Sequence, residues 1–288
     1  LLWVVYVAFT GAEFLRLWLH PSMDWFEAIN HAFATLATGG FSTKNTSVAA
    51  FDSAYIDTII TIFMFLAGIN FAMHFRLLRG EFQPFFANRE TRFYTLITMI
   101  GILGISFSLW HFDGYTILEA IRSGAFQAVA IITTTGFGTD DYELWYSFGA
   151  FLLLLFFFTG GSAGSTGGGI KMIRWMILIR NTGREIKQII HPKAILPVRI
   201  GDQAINQNIQ RTVLSFFILY MFIFGLGAFI ISLFGYDIMS SAGASIAALG
   251  NIGPGWGEFG PTDSFAKMPY LGKWVMIMLM MIGRLEIF

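Results

Sequence analysis

Five apolar runs, each about as long as a helix that crosses a membrane, constrain the fold of this chain most strongly. A spanning helix needs about 20 mainly apolar residues. The runs cover residues 1–19, 55–75, 93–110, 213–234 and 270–288. A sixth run, 144–179, is too long for one span and is interrupted by the small residues 160–169. Because lipid-exposed backbone must satisfy its polar groups internally, these runs predict an all-α membrane protein.

The composition agrees with this prediction and excludes several classes of function. Mean hydropathy is +0.64, and 12% of the residues are charged, against about 25% in soluble domains. Net charge is zero and no basic groove pattern is present, so we expect no nucleic-acid partner. The chain has no cysteine, its five histidines lack metal-ligand spacing, and no nucleophile–base arrangement is visible. We therefore expect neither an enzyme nor an organic cofactor.

The charged loops predict how the chain is oriented in the membrane. Arginine and lysine residues cluster in the connections 76–92 and 174–211, which should face the cytoplasm. The opposite loops carry carboxylates near glycine-containing turns, where they would raise the local cation concentration. The alternative is that each carboxylate is only a solvated loop residue. These acidic residues are Asp113, Asp140, Asp141, Glu143, Asp237 and Glu258.

Three shorter segments, 24–37, 115–133 and 237–249, each lead into a similar glycine-containing turn. Asp24 precedes Gly40 by 40 − 24 = 16 positions, and Asp237 precedes Gly253 by 253 − 237 = 16 positions. In the middle copy, Glu119 precedes Gly136 by 136 − 119 = 17 positions. The chain therefore repeats one pattern of span, half-helix, glycine turn and span, which we call a pore unit.

Each acidic residue stands where a half-helix should begin, because carboxylates cap helix N-termini and complement the helix dipole. The negative C-terminal end of each half-helix would then point toward the bilayer centre, which favours a cation. Non-helical backbone at that depth must be buried or line an aqueous cavity. The carbonyls that would form such an ion filter belong to Thr38, Gly39, Gly40, Thr134, Thr135, Gly136, Asn251, Ile252 and Gly253. We call these three segments the filter turns.

The alternative for the filter turns is that their glycines only let helices pack closely, as small residues do in membranes. One such motif would not separate the two interpretations. Three motifs in nearly the same register favour a filter.

The stretch 160–169, here called the glycine loop, interrupts the overlong sixth run. It lacks the Gly-Lys-Ser/Thr ending of a phosphate-binding loop, because Lys171 follows Ile170 and precedes Met172. Small residues beneath a filter predict a movable gate, and a simple helix kink is the alternative. The predicted gate residues are Gly160, Gly161, Ser162, Gly164, Ser165, Thr166, Gly167, Gly168 and Gly169.

Two cationic side chains lie at unusual positions. Arg284 is deep in the last apolar run, and an intramembrane charge is a candidate functional group. It either pairs with Glu286 as a structural bridge or forms an electrostatic barrier at the inner pore. Lys171 follows the glycine loop on the inner side.

With these residues in view, the chain resembles the Trk/Ktr/HKT superfamily of potassium transporters, and most closely its TrkH branch. The motifs that carry the resemblance lie at 37–43, 134–137, 160–171, 251–255 and 283–288. The resemblance implies four pore units around a pseudo-fourfold, potassium-channel-like pore. It makes Gly40, Gly136 and Gly253 filter glycines, makes the glycine loop an intramembrane gate, and places Arg284 near the ion path.

The resemblance also divides the chain. Residues 1–75 correspond to the second pore unit, 76–180 to the third with a broken inner helix, and 212–288 to a truncated fourth. Residues 181–211 form a basic cytoplasmic connection. The first unit is missing upstream, and since the chain begins inside an apolar run at Leu1, we interpret it as a fragment rather than a chain with a signal peptide.

The function implied is potassium uptake across the bacterial cytoplasmic membrane, with K⁺ as the transported ion. Implied partners are membrane lipid, a second copy in a homodimer, and a cytosolic nucleotide-binding ring of the TrkA type docked near 180–211. The alternative is an alternating-access secondary transporter of another cation or small solute. A plain membrane anchor leaves the filter turns unexplained. Coupling of the flux to protons or sodium stays open.

Overall fold

The computed structural model describes residues 2–194, 196–201 and 203–285, and this part of the chain is mostly helical. Its helices are α1 (Leu2–Trp18), α2 (Trp25–Leu36), α3 (Ala54–Ala67), α4 (Phe71–Leu78), α5 (Phe82–Ala87), α6 (Arg89–His111), α7 (Ile117–Ile132), α8 (Ser147–Phe156), α9 (Met172–Ile190), α10 (Gln207–Ser232), α11 (Ile238–Gly250) and α12 (Tyr270–Arg284). Two-residue strands β1 (Arg199–Ile200) and β2 (Gln203–Ala204) pair antiparallel. The predicted all-α class is confirmed.

Two of the described helices are long and apolar enough to cross a membrane. These are α6, with a mean hydropathy of 1.7, and α10, with 2.5. The pair α3 and α4 would be a third span if the two helices are counted together. Apolar side chains on the long helices point outward, among them Leu103 at 65% and Phe222 at 63% exposure. An outward surface of this kind suits lipid, and the chain is a membrane protein.

The predicted span 55–75 is not one straight helix, because α3 and α4 are bent by 101° at a short break. Gly68 lies at this break, and a methyl group on it would be 2.3 Å from the hydroxyl oxygen of Tyr94 on α6. That hydroxyl donates to the Phe65 carbonyl, at 3.0 Å. Asn70 then starts α4 by accepting a hydrogen bond from the Ala72 amide. The bend therefore depends on contact with a distant helix and not on local pattern.

The described residues contain one arrangement three times, in which a long helix packs against a short, buried helix. The pairs are α1 with α2, α6 with α7, and α10 with α11. The short helix α11 is the most enclosed of the three, with every residue from Ser240 to Gly250 buried except Ala242. A helix that is apolar around most of its circumference is stable only in such a core.

Asp24 and Asp237 cap the starts of α2 and α11, as predicted. The predicted start of α7 at Glu119 is wrong, because Thr116 is the N-cap and Glu119 completes a capping box three residues later. From Thr116 to Gly136 is 136 − 116 = 20 positions, four more than in the other copies. Four residues make about one turn of an α-helix. The added residues therefore lengthen α7 but leave its filter turn on the same side of the helix.

The predicted segment boundaries also need correction. The boundary at 75/76 falls inside α4, and α9 continues to Ile190, ten residues beyond position 180. The basic connection 181–211 is therefore partly helical. Asn206 starts α10 by accepting a hydrogen bond from the Asn208 amide, so this helix begins at Gln207, before the predicted span 213–234.

An ion pair joins the short helix α7 to α3. The Arg122 Nε atom lies 2.6 Å from Asp57 Oδ2, and the Asp57 side chain is 4% exposed. Asp52 also approaches Arg122, at 3.7 Å, but its side chain is 96% exposed. The first contact is therefore expected to stabilise the fold and the second is not.

Arg122→Ala should lower the free energy of unfolding by about 3 kcal/mol, because it leaves the buried Asp57 carboxylate without its partner. Asp52→Asn, the matched control, should change it by less than about 0.5 kcal/mol. Thermal unfolding of the full-length protein in detergent measures both. Equal effects of the two substitutions would show that the buried pair does not hold α7 in place.

Candidate ion filter and the loop beneath it

The helices α2, α7 and α11 end in the same reversal of the chain. One non-glycine residue at each end takes a left-handed conformation, with φ of +52° at Thr38, +57° at Thr134 and +54° at Asn251. Helices usually place glycine at this position, and a side chain there costs of order 1–2 kcal/mol. Strain of this kind is kept where the surrounding structure imposes it, which is typical of functional sites.

The hydrogen bonds at the three reversals are also the same. The amide after the left-handed residue bonds to the carbonyl five positions earlier, which is the pattern of a Schellman motif. These bonds join Gly39 to Ala34 at 2.7 Å, Thr135 to Ala130 at 2.9 Å, and Ile252 to Ala247 at 2.9 Å. The amides of the filter turns are thus directed back into the helix ends.

The carbonyls of the filter turns have no such partners. Within the described parts of the chain, none of the carbonyl oxygens of residues 38–40, 134–136 or 251–253 accepts a hydrogen bond. Most of these residues are buried or half-buried, and Thr134 and Thr135 are fully buried. Polar groups buried without a partner cost free energy, and a dehydrated cation is a ligand that would satisfy several carbonyls at once.

Neighbouring filter turns touch through their glycines. A methyl group on Gly40 would lie 1.9 Å from the Thr135 carbonyl oxygen, and one on Gly136 would lie 1.8 Å from that of Ile252. Both glycines also have positive φ, at +65° and +80°. No other residue therefore fits at these two positions. The contacts place the three turns side by side in chain order.

The outer ends of this row are open. A methyl group on Gly253 would meet nothing within 4 Å. At the other end, Phe41 is 81% exposed, whereas the corresponding Phe137 is fully buried and stacks on His31 of α2 at 5.7 Å. Both open ends border one cleft of about 640 Å³, which also contains Arg284.

Side chains that the sequence analysis did not single out hold the first filter turn. His31 is fully buried, with Nδ1 2.7 Å from the Glu27 carbonyl and Nε2 2.9 Å from the Ser42 hydroxyl. Lys44 pairs with the Glu27 carboxylate at 2.5 Å, and this hydrogen bond raises the pKa of the lysine. The available signal in the sequence was the position of His31 inside the predicted half-helix 24–37, since 38 − 31 = 7 positions separate it from Thr38.

Two loop residues hold the third filter turn from outside. The Tyr142 hydroxyl donates to the Gly255 carbonyl at 2.6 Å, and the Glu143 carboxylate accepts a hydrogen bond from the Gly257 amide. Burial raises the pKa of Glu143. Three other acidic residues of these loops also make structural hydrogen bonds. Asp113 accepts from the Tyr146 amide, Asp140 accepts from the Tyr115 hydroxyl, and Asp237 caps α11.

The glycine loop lies in the non-helical segment between α8 and α9, directly against two helix ends. The Gly168 amide donates to the Thr134 hydroxyl at 2.6 Å. A methyl group on Gly168 would be 2.4 Å from the Gly250 carbonyl oxygen at the end of α11, and one on Gly167 would be 2.8 Å from that of Thr133. The later half of the loop is therefore in contact with the filter turns.

The earlier half of the loop is bound elsewhere. The Ser162 amide donates to the Gly68 carbonyl at 2.8 Å, and the Gly164 carbonyl accepts from the Phe71 amide at 3.1 Å. These bonds attach the loop to the bend between α3 and α4. Gly160 and Gly161 are packed against Gly168 and Ser165 respectively, across the loop.

The cationic side chains of Arg284 and Lys171 both donate hydrogen bonds to the glycine loop. Arg284 Nη1 donates to the Thr166 carbonyl at 2.9 Å, and Lys171 Nζ donates to the Gly167 carbonyl. Together with residues 165–169 and Gly283, they line a cavity of about 110 Å³. The suggested pairing partner of Arg284, Glu286, lies outside the described residues.

The fold and this site define a helical membrane protein with re-entrant half-helices, a class that includes ion channels and transporters. Comparison with known families gives the narrower assignment. The profile of the TrkH family, described as cation transport protein, matches residues 2–288. The chain therefore belongs to the TrkH family, a family of transporters and not of enzymes, as its resemblance to the Trk/Ktr/HKT superfamily predicts.

Individual relatives agree with this assignment. The chain is 39% identical to the Trk system potassium uptake protein TrkH of Escherichia coli and 36% identical to that of Halomonas elongata, in each case over all of this chain and 59% of the relative. It matches the crystal structure of the potassium transporter TrkH from Vibrio parahaemolyticus with a TM-score of 0.93 and 35% identity. That match covers all of this chain and 62% of the other.

The contact between Thr134 and Gly168 gives a testable prediction about the site. Thr134→Val keeps the branched shape and the left-handed strain but removes the hydroxyl, which leaves the buried Gly168 amide unpaired. We expect a loss of about 1–3 kcal/mol in the free energy of unfolding. Thr134→Ser keeps the hydroxyl and should stay within about 0.5 kcal/mol. If thermal unfolding gives the same result for both variants, the hydrogen bond does not stabilise the loop.

Proposed function

We propose that the full-length protein takes up potassium across the bacterial cytoplasmic membrane through a filter of backbone carbonyls. The observation that carries this proposal is the set of unpaired carbonyls in three adjacent, equivalent turns. A ring of such oxygens replaces the water shell of a K⁺ ion. The filter ligands are then the carbonyls of residues 38–40, 134–136 and 251–253.

The half-helices add an electrostatic contribution to the same site. The C-terminal ends of α2, α7 and α11 lead directly into the filter turns. A helix C-terminus carries about half a negative charge. Three such ends directed at one place favour a cation over an anion, and the effect is largest where water is excluded.

We propose that a fourth pore unit completes the ring, so that the pore has pseudo-fourfold symmetry. The open side of Gly253 and the exposed Phe41 support this, because each lacks the neighbour that its counterparts in the row have. The chain spans 59% of the length of the curated relatives named above. In this proposal 1–75, 76–180 and 212–288 approximate the second, third and fourth units, with the corrected helix bounds.

We propose that the glycine loop gates the pore from the inner side. Its contact with Thr134 and with the end of α11 supports this role. Arg284 and Lys171 hold the loop by hydrogen bonds to two of its carbonyls, and their positive charges oppose the passage of a cation. Opening would break these bonds and release the loop from both side chains.

The proposed partners are a second copy of the protein and a cytosolic nucleotide-binding ring of the TrkA type. Support for an acidic partner surface comes from a pocket of about 330 Å³ between α9 and the β1–β2 hairpin. Arg180, Arg184, Lys187 and Arg199 line this pocket. An acidic partner would be attracted to such a surface.

An alternating-access secondary transporter is the second candidate, and the break between α8 and α9 is the observation that favours it. Such transporters usually contain inverted halves. The three pore units here each run in the same order, long helix, short helix and turn, which favours a single pore.

Gly136→Ala should abolish potassium uptake, because the added methyl group would lie 1.8 Å from the Ile252 carbonyl oxygen. Gly138→Ala is the matched control on the same loop, since its methyl group meets nothing closer than 4.0 Å. The measurement is rubidium flux into liposomes that contain the full-length protein, with sodium as competitor.

The control should retain uptake and the preference for rubidium over sodium. Unchanged rate and preference in Gly136→Ala would rule out the filter. Transport of another solute without rubidium flux in the unmodified protein would favour the alternating-access candidate.

Gly168→Ala tests the gate. Its methyl group would lie 2.4 Å from the Gly250 carbonyl oxygen, so the loop must move away from the end of α11. We expect basal rubidium flux to rise several-fold. Gly225→Ala on α10, where a methyl group meets nothing within 4 Å, is the control. Flux and regulation that match the control would exclude the loop as a gate.

A further inference from the structure

Glu90, the second residue of α6, binds both the glycine loop and the first turn of α9. Its Oε1 atom accepts a hydrogen bond from the Ala163 amide at 2.7 Å and another from the Ile173 amide at 3.1 Å. Ala163 belongs to the loop, and Ile173 is in the first turn of α9. One carboxylate oxygen thus joins three separate parts of the chain.

The Glu90 carboxylate is not required to cap the N-terminus of α6. A carboxylate in the first turn often serves its own helix N-terminus. Here Asn88 already caps α6, with its side chain accepting from the Thr91 amide at 2.8 Å. The Glu90 carboxylate is directed away from this turn, toward the loop and α9.

The bonds of the glycine loop divide it into two halves. Residues 162–164 are held by the α3–α4 bend and by Glu90. Residues 166–168 are held by Arg284, Lys171 and Thr134, next to the filter turns, and the Thr166 hydroxyl also donates to the Ala67 carbonyl at 3.5 Å. Among the bonds that the described residues make to the first half, only the one to Glu90 has a charged acceptor, and charge-assisted bonds are about twice as strong as neutral ones.

We propose that Glu90 is the positioning residue that fixes the pivot of the glycine loop. It holds the start of the loop and the first turn of α9 at a constant separation, so that only the half next to the filter turns moves. This inference rests on the proposed gate. Without the carboxylate, the first half loses its strongest anchor and the loop leaves its position beneath the filter turns more often.

Ser165 offers a direct reporter of loop position. Its hydroxyl oxygen is buried, and a methyl group on Gly161 would lie 2.6 Å from it. The 288 residues contain no cysteine, so Ser165→Cys introduces one thiol into this region. The thiol should react faster with a small maleimide when the loop moves outward.

The experiment uses the full-length protein with any cysteine outside these residues replaced. Maleimide reaction rate, rubidium flux in liposomes and thermal unfolding are measured for Ser165→Cys alone and combined with Glu90→Gln, Glu90→Ala or Glu81→Ala. Glu81 is an exposed carboxylate just before α5 and is the matched control. Glu90→Gln keeps an acceptor oxygen but removes its charge.

We expect the reaction rate to rise at least about tenfold in Glu90→Ala, because two hydrogen bonds to a charged group are lost. The rise in reaction rate should be smaller in Glu90→Gln and absent in Glu81→Ala. Basal rubidium flux should rise in the same order of variants. If Glu90→Ala does not fold, the comparison of Glu90→Gln with Glu81→Ala tests the inference.

If the maleimide reaction rate is unchanged in the Glu90 variants, the inference is overturned, whether or not thermal stability falls. Glu90 would then have only a structural role. A raised reaction rate with unchanged flux would support the anchoring role and contradict the gate. A raised rate together with raised flux supports both.

Discussion

The structure of the candidate pore depends on one backbone constraint, the left-handed residue that ends each short helix. At Thr38, Thr134 and Asn251 the chain turns so that the following amides bond back into the helix. This uses up the hydrogen-bond donors of the filter turns and leaves their carbonyls without partners. In the first two turns, the glycine two residues later, Gly40 or Gly136, lets the next turn approach. In the proposed filter, the same turn therefore both ends the helix and presents the carbonyls to the ion.

Thr134 connects the filter to the loop beneath it. It is one of the three left-handed residues, and its hydroxyl also accepts the Gly168 amide. The other two left-handed residues make no such bond to the loop in the described structure. The glycine loop is thus hydrogen-bonded to the middle filter turn at this residue, and in the proposed gate this bond links loop position to filter geometry.

Short-range rules predicted much of this arrangement. The 16-residue spacing located two of the three filter turns, and Asp24 and Asp237 were predicted as helix starts because acidic residues cap helices. Glu119 was misassigned because the capping box places an acid at the third helical position, behind Thr116. The bend at Gly68 and the anchor at Glu90 could not be predicted, since they depend on Tyr94 and Ala163, which are far away in sequence.

The most direct test of the account is the location of the ion in the full-length protein. Anomalous diffraction from crystals grown with rubidium should show density on the axis between the filter turns, within about 3 Å of the carbonyls of residues 38–40, 134–136 and 251–253. Sodium should not displace it at equal concentration. Rubidium bound only to acidic side chains outside these turns, or none bound between them, would contradict the carbonyl filter.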